Sequence, residues 1–141
     1  MGSYLAVAFT LLLSMACHAQ TVSLSQLTNT KWKLVSPVSD YCEKTMSFTS
    51  TELTNTYSSH YVKRGETKET KRFFSNSYPF YLATVIPTTF NQSLVGKSNS
   101  GTYIIKYVGK RVVPFKILSV SSGQLKLSTP QGDVLIYDKV Y

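Results

Sequence analysis

The chain has 141 residues, one domain's worth, with a net charge of +8, 43% hydrophobic and 16% charged residues. That balance excludes a disordered or collagen-like chain, and one cysteine beyond the leader excludes a disulfide scaffold. Ten tyrosines, seven phenylalanines and a mature region with Ala83 as its one alanine disfavour helices and favour half-buried strands.

The first residues differ from the rest. Leu5 to Ala16 is an uncharged, mostly apolar run of the length of a signal-peptide core, short of the ~20 residues a spanning helix needs. Cys17-His18-Ala19 follows as a small-x-small pattern, so 1–19 is expected to be a signal peptide and 20–141 the mature domain. The same stretch has a second reading. Leu13-Ser14-Met15-Ala16-Cys17 resembles a bacterial lipobox, which would place a lipid on Cys17 and tether the protein to a membrane. Either route predicts an exported protein, periplasmic or secreted in one case and a membrane-anchored lipoprotein in the other.

Beyond Gln20, Ser23 is placed to cap one helical turn over Leu24 to Leu27. Period-two alternation then predicts strands at Lys31–Val35, Thr45–Thr49 and Glu52–Tyr61, with Met46, Phe48, Leu53 and Tyr57 facing inward. Lys63 to Arg72, KRGETKETKR, mixes five cations with Glu66 and Glu69 and reads as a solvated hairpin tip around Gly65. The apolar middle, Phe73 to Leu82, is interrupted by Pro79, which predicts a strand and a loop. Asn91 to Ser100 is a polar loop. Strands follow at Thr102–Val108, Lys110–Val120, Gln124–Ser128 and Asp133–Tyr141, with turns at Gly109, Gly123 and Gly132. About eight sequential strands with short links predict an all-β fold, either an antiparallel up-and-down barrel or a sandwich. An eight-stranded barrel has an interior that side chains fill or that holds one small ligand.

Leu27-x-x-Thr30-x-Trp32-x-Leu34-Val35, with the closing stretch Phe115 to Leu127 and Asp133 to Tyr137, resembles the small exported lipocalin-like (calycin-type) domains of Bacteroidetes. Thr30 stands where that family often has glycine. The opening also resembles that of META domains, a weaker resemblance, since their later Gly-Cys-Asn segment has no counterpart here. The lipocalin resemblance implies an eight-stranded barrel whose first strand closes against its last. It implies that Trp32 plugs one end, with an arginine or lysine of the last strands such as Lys139 over the indole as a cation–π partner, and that Trp32, Leu34 and Lys139 close the barrel. A ligand-stacking role is the alternative for Trp32.

Three functions follow as expectations. The first is a non-enzymatic binding protein holding a small apolar or amphipathic ligand, with Tyr57, Phe80, Tyr103, Tyr107 and Phe115 as candidate lining residues. The same five residues would otherwise fill a dry core. The second is an inhibitor, immunity-type or structural interaction protein of the cell envelope, acting through a protruding loop at Lys63–Arg72 or Asn91–Ser100 with a filled barrel. Its +8 charge favours an acidic partner or an anionic membrane surface. An enzyme is disfavoured, because no paired-carboxylate, metal-spacing, nucleophile-elbow or phosphate-loop motif is present. Cys42 and His60 are the thiol and base of the mature part, and nothing in the sequence brings them together. No cofactor, metal or nucleic-acid partner is expected.

Overall fold

A computed structural model describes residues 19–38 and 42–141; the expected signal peptide and Cys17 lie outside them. Among the described residues the chain is β1 (Val22–Ser23), α1 (Leu24–Leu27), β2 (Thr30–Ser36), β3 (Cys42–Phe48), β4 (Glu52–Val62), β5 (Glu69–Ala83), a 3-10 turn (Gln92–Leu94), β6 (Ser100–Gly101), β7 (Tyr103–Val108), β8 (Arg111–Val120), β9 (Gln124–Ser128) and β10 (Val134–Lys139). Strands β2, β3, β4, β5, β7, β8, β9 and β10 form a closed antiparallel barrel in up-and-down order, with β10 returning to pair with β2. Full closure leaves no hydrogen-bonding edge around the barrel wall.

The alternation seen in the sequence decides which residues face in. Trp32 lies opposite Met46, Phe48 opposite Leu53, and all four are buried. Phe80, Leu82, Ile104, Ile117, Leu125 and Leu127 complete a core that fills one half of the barrel. Phe48 and Phe80 meet edge to face at 5.4 Å.

The lead-in seals that half. Val22 and Leu27 are fully buried, and Leu24 nearly so. The Ser23 amide donates to Gln26 Oε1 at 2.9 Å, tying down the single helical turn. Gly101 pairs with Val22, and its Cα runs so close to Ala83 that a Cβ there would lie 2.2 Å from the Ala83 carbonyl oxygen. Gly109 and Lys110 both have positive φ, as the two-residue turn between Val108 and Arg111 requires.

The apolar middle is one long strand, not a strand and a loop. β5 runs through Pro79, which pairs with Glu52. The Phe80 amide donates to Thr51 O on the β4 side, so the missing Pro79 donor falls toward β7, where the ladder stops at Phe80–Lys106. β4 and β5 stay paired as far as Val62–Glu69, whereas the β3–β4 ladder starts at Cys42–Ser59. The end of this hairpin therefore runs past the barrel wall as a two-stranded arm, tipped by the charged turn around Gly65.

Candidate functional site

The other half of the barrel is not filled. It keeps a cavity of about 190 Å³ lined by Leu34, Lys44, Thr45, Met46, Asn55, Tyr57, Lys106, Phe115, Leu135 and Tyr137. Ordinary small-molecule sites begin near ~300 Å³, and an apolar cavity of ~150 Å³ accommodates benzene. A cavity of that volume suits one ring or a short chain.

Of the five aromatic candidates, the structure brings Tyr57 and Phe115 together on the cavity wall. Phe80 lies in the solid half, fully buried against Phe48. Tyr103 and Tyr107 do not face the interior at all. Lys106 is a lining residue, so its neighbours on β7 alternate to the outside. There Tyr107 stacks on Phe90 at 4.7 Å, and Phe90 meets Tyr81 at 4.9 Å. The Asn91 amide donates to the Tyr81 hydroxyl at 3.3 Å. This stack fastens the segment after β5 against the barrel exterior, and Leu24 N donates to Asn99 O nearby. The Asn91–Ser100 loop is therefore pinned to the barrel, and the Lys63–Arg72 region is the one that projects.

Trp32 is 1% exposed and is absent from the cavity wall. Its Nε1 donates to Thr30 Oγ1 at 2.8 Å, and the Thr30 hydroxyl donates to the Leu27 carbonyl. Lys139 lies opposite Trp32 in the β2–β10 ladder, with Nζ 5.7 Å from the indole centroid. Leu34 pairs with Tyr137 in the same closing ladder, and both line the cavity. Cys42 shares a face with Ser59, so His60 points to the other side of the sheet and the two do not converge. No group of three His, Cys, Asp or Glu side chains placed to hold a metal occurs among the described residues.

Sequence reasoning missed Lys44, Tyr137 and above all Lys106 on this wall. Lys106 is buried to 8% exposure, deep in a wall whose lining contains no carboxylate. Its ammonium lies 4.8 Å from the centroid of Tyr78 and 4.9 Å from that of Phe115. Burial pulls its pKa below the ordinary lysine value, because desolvation disfavours the charged form. Burial pushes Tyr137 up to about 12, with the nearby Tyr57 adding to the rise. Tyr57 is raised as well, chiefly by burial and then by Tyr78 and Cys42. Both phenols facing the cavity are thus neutral O–H groups at neutral pH.

Above the cavity the arm continues the same chemistry. Phe74 pairs with Tyr57 and so shares its face; Tyr61 and Arg72 lie further out on that face, 5.5 Å apart from guanidinium carbon to ring centroid. Lys44 Nζ lies 5.7 Å from the Tyr57 centroid. No family model, curated protein or solved structure matches the chain.

Proposed function

We propose that this chain is an exported, non-enzymatic, lipocalin-like binding protein that holds a small amphipathic ligand in the open half of its barrel. The observation that carries this reading is the division of the interior. One half is packed solid around Trp32, Phe48 and Phe80, while the other retains a cavity with Tyr57, Phe115, Tyr137 and two lysines on its wall. Close packing is the default for a protein interior, and a cavity of this size costs stability if nothing occupies it. The export part of this reading rests on the apolar run Leu5 to Ala16 and the small-x-small pattern Cys17-His18-Ala19 that follows it.

The test is native mass spectrometry of the protein purified from the cells that make it. A small non-covalent adduct that leaves on denaturation is expected. The bare mass alone would count against a carrier.

A second reading rests on the β4–β5 arm. Phe73 and Phe74 are 66% and 54% exposed on its two faces, beside Lys71 and Arg72. Such a projecting ribbon with apolar and basic side chains suits docking onto an acidic protein partner in the cell envelope. Replacing both phenylalanines by serine would then abolish partner capture while leaving the adduct in place.

A further inference from the structure

We propose that the ligand is an anion, a small aromatic or short-chain carboxylate whose charged end is taken up by Lys106. This rests on the reading that the barrel holds a ligand, and adds which end of that ligand points inward.

The charge inventory leads here. The cavity wall carries Lys44 and Lys106 and no acidic side chain. The Lys33–Glu43 ion pair and the His60–Glu69 contact lie elsewhere. Lys106 thus enters the barrel without a carboxylate partner among the described residues, although it is more than nine-tenths buried. The faces of Tyr78 and Phe115 replace part of its lost hydration, but a ring quadrupole is not a counter-charge. The Lys106 stem is buried and its ammonium is drawn from bulk water to the cavity, which costs free energy, and a merely structural position would be better served by an aliphatic residue such as Ile104, two positions earlier on the same face.

The surroundings match a carboxylate. An ammonium and phenolic hydroxyls are donors to a carboxylate oxygen, and Tyr57 and Tyr137 line the same cavity in their neutral form. Phe115, Leu34, Met46 and Leu135 supply the apolar wall for the rest of the molecule. The volume of about 190 Å³ fits one ring with its carboxylate.

The experiment compares two near-isosteric probes, benzoate and benzyl alcohol, titrated into the full-length mature protein at pH 7 and followed by NMR. Benzoate is expected to bind about tenfold more tightly than benzyl alcohol, and Lys106→Met should bring the two within about twofold. Equal affinity of the wild-type protein for both probes would overturn the anion proposal while leaving a ligand-holding barrel intact. Failure of both probes to bind would overturn the proposal together with the reading beneath it. The wild-type comparison decides the matter even if the variant does not fold.

Discussion

Trp32 Nε1 donates its hydrogen bond to Thr30 Oγ1, two residues away on the same strand face, and that hydroxyl in turn donates to Leu27 O. One threonine thus joins the end of α1 to the plug of the barrel. Glycine at this position could not make that link. Thr30→Val keeps the shape and leaves both a buried N–H and a buried carbonyl without this partner, so it should cost about 1–3 kcal/mol in denaturant unfolding. Trp32→Ala should cost about 3–5 kcal/mol, since the indole is fully buried in the solid half. A loss under 1 kcal/mol for Trp32→Ala would show that the tryptophan is not the plug.

Gly101 has no room for a side chain. A methyl group there would strike the Ala83 carbonyl, and backbone cannot swing aside as a flexible side chain does. Gly101→Ala should therefore separate β6 from the end of β5, loosen the Val22 pairing and cost roughly 1–3 kcal/mol. The readout is a lower thermal midpoint. Gly123→Ala, which meets open space, is the comparison that should stay near wild type.

Lys106 should lower the stability of the empty protein. Its folded pKa lies below the unfolded value, so the penalty is fully present below the folded pKa and fades as pH rises through it toward 10.5, where the unfolded lysine also loses its proton. Lys106→Met should accordingly be more stable than wild type at pH 7. That gain should shrink in alkaline solution. Chemical denaturation of both proteins at pH 7 and pH 10 checks the sign.

Tyr137 acts in the opposite sense. Its folded pKa is about 12 against the ordinary 10.0, so the folded state holds a proton that the unfolded chain gives up. The stabilisation is complete below pH 10 and is lost as pH rises from 10 to 12, up to roughly 2–3 kcal/mol for this group. Tyr137→Phe should flatten that part of the stability curve relative to wild type.

The fold was largely legible because most strands have one buried and one wet face. Trp32–Leu34, Met46–Phe48 and Leu53–Tyr57 alternate cleanly, and glycines mark the tight turns. Legibility failed where both faces are covered. In β7 the outward Ile105 is fully buried and the outward Tyr107 stacks on Phe90, so Tyr-Ile-Ile-Lys-Tyr-Val carries apolar residues on both sides and its parity is hidden. Tyr103 and Tyr107 then pass for interior residues, and Lys106, which does face the cavity, passes for a surface residue. The continuity of β5 through Pro79 was hidden for another reason. A proline is tolerated where its missing donor falls at the end of a ladder, and that depends on the register with β7 rather than on local sequence.

The division of the barrel into a solid and an open half is tested most directly by methyl NMR during titration with benzoate. The account predicts shifts at the methyl groups of Leu34, Met46 and Leu135 on the cavity wall, with Leu53, Leu125 and Ile117 in the solid half unmoved. Shifts confined to Val62 on the arm, or none at any concentration, would contradict it.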